Sequence, residues 1–341
     1  MKKKKSLWSL VFLLLLIAVT FYFLFRNHEM GDLLATISRI NPLFLVVGLL
    51  LMFIFIASEG FGIQVLLKSF HYKTSFLKCL KYSFLGFYYC SIMPAGGGQP
   101  VQIYYMSKDN VEVGDASLSI VLITLCYPLG MLLICLFSLI TRYHFVMQNL
   151  GIMKFSSLLG AILSFLLVSV YITATLHTDL IKKVISFFVS LLSKIKIVKD
   201  SEKVMGKISI QLEIYKKGAL YLKAKPKVLL LTLLTIIIQI LSRLSVAYAI
   251  YRAFGLQGYG YLDILSLQAL LAIGIEYLPI PGSVGAAEAG FYTVNGLIFG
   301  KAKLMSAILL TRGISYYAYL VISGIVSIFA HIALSHRQSK E

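Results

Sequence analysis

Acidic residues are scarce in this chain. Only 14 Asp and Glu stand against 32 Lys and Arg in 341 residues, and all charged residues together make up 13%. No CxxC pair occurs, and the four cysteines, Cys79, Cys90, Cys126 and Cys135, lie in or beside apolar runs. They read as small apolar packing residues, not as a redox or zinc centre. The six histidines are scattered and form no HExxH, so no metal site or other cofactor is expected. A Walker loop and a GxSxG elbow are also missing, which speaks against ATP-driven transport and against serine hydrolysis. Without a soluble basic module, the net charge of +18 points away from a direct nucleic-acid partner.

What the chain does contain is apolar length. It is 59% hydrophobic, with a mean hydropathy of +0.86, and its repeated long apolar runs predict an all-α, polytopic membrane protein. The excess of lysine and arginine then marks loops on the cytoplasmic side and a surface facing anionic lipid. Lys2 to Lys5 precede a first apolar run, Leu7 to Phe25, which ends in bulky residues without a small-x-small cleavage site. The expectation is an uncleaved first span with its N-terminus inside.

Further spans are expected over Leu43 to Leu67, Ala116 to Ile140 with a kink at Pro128, Phe155 to Leu176, Val228 to Phe254, and Leu304 to Leu334. Thr141 to Lys154 is expected as a short outer loop. The one long polar stretch, His177 to Lys227, carries apolar residues at helical spacing among lysines, and reads as an amphipathic helix on the cytoplasmic face. It divides a single membrane domain into a first half, 1–176, and a second half, 228–341.

Each half contains one interrupted segment. In the first, Pro94, Gly96, Gly97, Gly98 and Pro100 stop any helix, and Val101 to Met106 is only six residues long. At ~1.5 Å per residue that is roughly 9 Å, far short of the ~30 Å hydrocarbon core. The segment must therefore turn back as a re-entrant hairpin. In the second half, Pro279 and Pro281 break the run Leu262 to Leu278 before LPIPGSVGAAEAGF is complete. Broken backbone at that depth is tolerated only within protein or against a wet cavity. The prediction is thus about six full spans and two re-entrant hairpins in a pseudo-inverted repeat, with both termini inside. Paired broken segments of this kind point to a transporter-type site near the midplane.

Four charges fall at or near membrane depth: Arg243, Arg312, Glu276 and Glu288. Buried singly they are costly, so they should be paired or face a polar cavity. Arginine offers a fork of donors suited to phosphate. A helix starting near Gly282 or Ser283 would add free N–H groups, also favouring an anion. A packing role for the same residues is the competing reading, and Gly282, Gly285 and Gly290 equally serve close helix approach. Glu59 reads either as a buried functional acid or as one reaching the interface. Tyr104 follows the first break closely and is a further candidate.

Two motifs carry a resemblance. Pro279, Pro281, Gly282, Gly285 and Glu288 in PxPGxxGxxE, and Gly97 to Lys108 in GGQPVQIYYMSK, resemble signatures of the lysylphosphatidylglycerol synthase transmembrane-region family. The likeness covers nearly the whole chain. Many members have an acid and an arginine where this chain has Gln99 and Gln102. The family includes the flippase half of the bacterial multiple peptide resistance factor, whose soluble C-terminal domain transfers lysine from lysyl-tRNA. That soluble domain is not expected here, because only a short tail follows Leu334. The resemblance implies a plasma-membrane translocase for an anionic or aminoacylated phospholipid such as lysyl-phosphatidylglycerol, contributing to resistance against cationic antimicrobial peptides. The candidate substrate site takes in Pro94, Gly97, Gln99, Gln102, Pro281, Gly282, Ser283, Gly285 and Glu288 beside the four charges and Tyr104. The different-class alternative is a phosphatidylglycerol lysyltransferase working with a separate catalytic chain, and the other is a non-transporting scaffold. The expected partners are a membrane phospholipid and a separate lipid aminoacyltransferase, with a homo-oligomer also open.

Overall fold

The computed structural model describes residues 35–93, 97–176, 224–278 and 280–338, with isolated positions elsewhere. The first span, the stretch 177–223, Pro94 and Pro279 lie outside the described residues. Every described element is helical. In chain order these are α1 (Pro42–Ser69), α2 (Phe76–Ile92), α3 (Gln99–Lys108), α4 (Val113–Asn149), α5 (Met153–Leu176), α6 (Pro226–Ala253), α7 (Tyr261–Ile275), a 3₁₀ turn (Pro281–Ser283), α8 (Ala286–Arg312), a π-helical turn (Gly313–Ala318) and α9 (Tyr319–Gln338). Five stretches are long and apolar enough to cross a membrane: Pro42–Ser69, Val113–Asn149, Met153–Tyr171, Pro226–Ala253 and Pro281–His336. The chain is an all-α polytopic membrane protein.

Helices α1 and α6 form the central post. Asn41 N–H donates to the Ala253 carbonyl at 3.0 Å at one end, and Lys225 Nζ to the Ser69 carbonyl at 2.9 Å at the other. The pair is therefore antiparallel, and each end of it gives a reference for the rest of the fold. Asn41 caps α1 by accepting the Leu43 N–H at 3.0 Å, and Pro42 sits at the first helical position, where its missing N–H costs nothing.

Helices α2 and α3 fold back on each other as the short second limb requires. Gly86 lies so close to Gln102 that an added Cβ would stand 2.2 Å from its Nε2. Asp109, just beyond α3, accepts from Lys81 Nζ at 2.6 Å and Tyr82 Oη at 2.7 Å on α2. The chain thus returns to the level where it entered. That base lies at the Ser69 end of the post, since Tyr72, just past α1, donates to Asp115 at 2.8 Å. Burial at this base raises the Asp109 pKa, but the Lys81 and Tyr82 hydrogen bonds outweigh it and hold the carboxyl below its usual range. The clamp is present at neutral pH and is lost only as acid protonates Asp109.

The second hairpin is built from α7 and the first limb of α8. Gln268 Nε2 donates to Asn295 Oδ1 at 2.9 Å, and a Cβ on Gly290 would stand 2.7 Å from Leu271 Cδ1. Its base is at the Ala253 end, where Tyr251 meets Phe299 edge-on at 5.7 Å. The two hairpins therefore enter from opposite ends of the α1–α6 post. Their tips meet: Ile92 packs with Val284 and Tyr316, and Tyr316 Oη donates to the Ser91 carbonyl. The inverted arrangement expected from the two broken segments is present.

Helix α8 is itself folded over. A straight helix would separate residues 288 and 312 by ~36 Å. Arg312 Nε nevertheless donates to Glu288 Oε1 at 2.8 Å. The reversal falls midway, at Gly300, with φ 70° and ψ 155°, a conformation that suits only glycine. Two expectations are corrected. Helix α4 continues to Asn149, so the outer loop expected from Thr141 shrinks to the residues around Gly151. Its one non-helical residue is Arg142, not Pro128; there Arg142 leaves the helical path and pairs with Asp263 at 2.7 Å.

Candidate functional site

Where the two tips meet the post, the helices enclose a chamber of about 640 Å³. Helix α1 contributes Glu59, α3 contributes Gln99 and Gln102, and α6 contributes Gln239 and Arg243. The second hairpin brings Glu276, Gly282 and Ser283, and α8 brings Arg312. Phe55, Phe87, Leu167 and Ile275 supply apolar wall.

All four charges expected at membrane depth are paired. Arg243 Nη2 donates to Glu276 Oε1, which also accepts from Tyr127 Oη at 2.9 Å. Arg312 Nε donates to Glu288, and its Nη2 donates to the Gly282 carbonyl at 3.1 Å. Glu288 is 2% exposed and also accepts from Tyr317 Oη at 2.9 Å. The Arg312 guanidinium lies over the Tyr316 ring, 4.6 Å from its centre. Both pairs sit at breaks in helices, where a charge in lipid would be prohibitive but one inside a polar chamber is not. Arg312, Arg243 and Glu276 face the chamber, while Glu288 stands behind Arg312 and orients it.

Pairing leaves donors over. Arg243 Nε is buried and has no hydrogen-bond partner among the described residues. A buried guanidinium N–H without an acceptor costs about 1–3 kcal/mol or more. The accessible parts of the Arg243 and Arg312 side chains line the chamber, and these are complementary to an acceptor that enters it. The backbone at the second tip behaves otherwise. Helix α8 starts at Ala286, not near Gly282, and Glu288 Oε2 already accepts the Gly285 N–H at 2.7 Å. The free N–H groups expected there are thus partly taken by the chain's own carboxylate, which sits in the first turn where the helix dipole favours it.

Residues 7–323 match the sequence model of the family described as lysylphosphatidylglycerol synthase TM region. The chain belongs to that family. Comparison with curated proteins finds no match. The chain is thus a membrane domain related to lysyl-phosphatidylglycerol synthesis.

Of the motif residues that carry the likeness to the lysylphosphatidylglycerol synthase TM region, Gln99, Gln102, Gly282 and Ser283 line the chamber. Pro281 is buried within the tip, Gly285 caps α8 with φ 85°, and Gly97 packs in the first tip against Met93. Pro94 lies outside the described residues. Tyr104 points elsewhere: it is 46% exposed, edge-on to Tyr105 and beneath Lys108. Helical geometry explains this, because a residue two positions past Gln102 lies ~200° around the helix.

Gln239 and Tyr127 were not among the sequence candidates. Gln239 carried a signal, being four residues before Arg243 on an otherwise apolar span and so on the same face. Tyr127 had none, since one tyrosine in an apolar run is ordinary. Glu59 was legible either as a buried functional acid or as one reaching the interface. The structure gives it Gln102 Nε2 at 2.8 Å and Gln239 Nε2 at 3.0 Å.

Proposed function

We propose that this chain moves a phospholipid with an anionic or aminoacylated headgroup, such as lysyl-phosphatidylglycerol, between leaflets. The observation that carries the reading is the chamber between two oppositely entering hairpins, with the Arg243 and Arg312 side chains on its wall. Its volume suits a lipid headgroup, within the ~300–1,000 Å³ range of small-ligand sites. In this reading Arg243 and Arg312 hold the phosphate, the glutamines position the polar remainder, and the acyl chains stay in lipid. The chain would sit in a bacterial plasma membrane with both termini cytoplasmic. A separate aminoacyltransferase would supply the lipid, and moving it outward would weaken the attraction of cationic peptides to the cell. The test is reconstitution of the full chain in phosphatidylglycerol vesicles loaded with lysyl-phosphatidylglycerol in one leaflet. The protein should equalise the leaflets faster than protein-free vesicles do. Equal rates in both would overturn the proposal.

The positive-inside rule puts the Ser69 end of the post in the cytoplasm and the Ala253 end outside. Single cysteines at Lys108 and Lys301, both exposed near the two hairpin bases, test this in a background lacking the four native cysteines. A membrane-impermeant thiol reagent should label Lys301→Cys in intact cells and Lys108→Cys only in inverted vesicles. Labelling of both from the same side would defeat the proposed orientation and the opposed hairpins together.

A further inference from the structure

Glu59 differs from the other chamber acids. Glu276 and Glu288 each hold an arginine. Glu59 has no cationic partner among the described residues: its two oxygens accept only from the Gln102 and Gln239 amides. It lies ten residues before the end of α1, hence ~15 Å along the helix from that end. An ionised carboxylate at such depth without a cation is expensive, by several kcal/mol per ion, and two amide N–H bonds offset only part of that.

A second observation concerns the neighbour. Gln239 is 3% exposed, and its Oε1 is buried with no hydrogen-bond partner among the described residues. An amide offers a donor at one atom and an acceptor at the other. As placed, Gln239 gives its N–H to ionised Glu59. Turned over, the same amide presents Oε1 to a Glu59 that carries a proton, and the O–H donates to it. Gln239 thus offers a partner to both forms of Glu59, an N–H donor to the carboxylate and a carbonyl acceptor to the acid.

The other titratable or charged groups lining the chamber from elements against α1 are Cys90 on α2, Tyr127 on α4, Arg243 on α6 and Tyr316 in the π turn. Arg243 is engaged by Glu276. Glu59 is the acid among these that can change charge without breaking an arginine pair.

We infer that Glu59 is a proton-binding site, held by Gln102 and Gln239, through which a proton gradient drives lipid movement. This rests on the translocase reading of the chamber. Only an O–H bond forms and breaks: the proton enters from the water on one side and leaves to the other, and no other reactant is needed.

The full chain is reconstituted in phosphatidylglycerol vesicles with lysyl-phosphatidylglycerol as probe, and two quantities are read. The first is the infrared band of a protonated carboxyl group, followed against pH without any transport. It should titrate in the natural chain and in Glu59→Asp, and be missing in Glu59→Gln. The second is the leaflet ratio of the probe under an imposed pH difference. One proton per lipid and a difference of about one unit would shift that ratio by up to about tenfold. Glu59→Asp should keep the response and Glu59→Gln should lose it. A natural chain that moves lipid at the same leaflet ratio with and without the gradient overturns the coupling and leaves the translocase reading intact. A chain that moves no lipid overturns both, whereas an unchanged band in Glu59→Gln overturns the proton site alone.

Discussion

Arg312→Ala is expected to abolish lipid movement and to lower thermal stability sharply. The substitution leaves Glu288, 2% exposed, with its charge held only by Tyr317 Oη and the Gly285 N–H. Removing one partner of a buried ion pair costs about 3–5 kcal/mol, because the remaining charge is uncompensated. It also frees the Gly282 carbonyl and removes the cation over Tyr316. A double variant, Glu288→Gln with Arg312→Gln, separates packing from function. It removes both charges and keeps hydrogen-bonding groups, so most of the stability should return. Lipid movement should not return if the guanidinium holds phosphate. Recovery of both stability and transport in the double variant would show that the pair serves helix packing alone. The readouts are a detergent-stability melt and the vesicle leaflet assay.

Gly282→Ala is the second change with a large expected effect. Gly282 has φ 59°, and a Cβ there would stand 1.9 Å from Tyr316 Oη and 2.2 Å from its ring carbon. The backbone term alone costs roughly 1–2 kcal/mol in the left-handed region. The steric term adds to it, because Tyr316 cannot withdraw without losing the Ser91 carbonyl and its place between the tips. The tips should separate, and lipid movement should fall by about tenfold or more, since each 1.4 kcal/mol is tenfold. Tyr316→Phe should not rescue it, because the ring itself occupies the space. Gly282→Ala with unchanged melting and unchanged lipid movement would contradict the tip contact on which the chamber depends.

The all-α membrane class, the two broken segments and the return of the first hairpin were legible in the sequence. Composition dictates long apolar helices, and helical rise dictates that ten residues, Gln99–Lys108, cannot cross a bilayer. That four charges at depth need company also follows from elementary desolvation cost. The identity of the company does not. Glu288 and Arg312 are 24 residues apart, and only the reversal at Gly300 brings them together. Arg243 and Glu276 meet because α6 and α7 are packed side by side, which no local pattern encodes. Tyr104 and Gln102 looked equally good beside one break, and the rotation of α3 separated them. Glu59 was readable as a costly acid, but its two amide partners come from helices distant in sequence, α3 and α6. The sequence by itself determined that long apolar helices dominate the chain and that each half holds one broken segment, because those are questions of length, hydropathy and missing N–H groups. The tertiary structure alone decided which charges pair and which donors are left over, because contacts between segments depend on crossing positions and rotations that short-range chemistry does not specify.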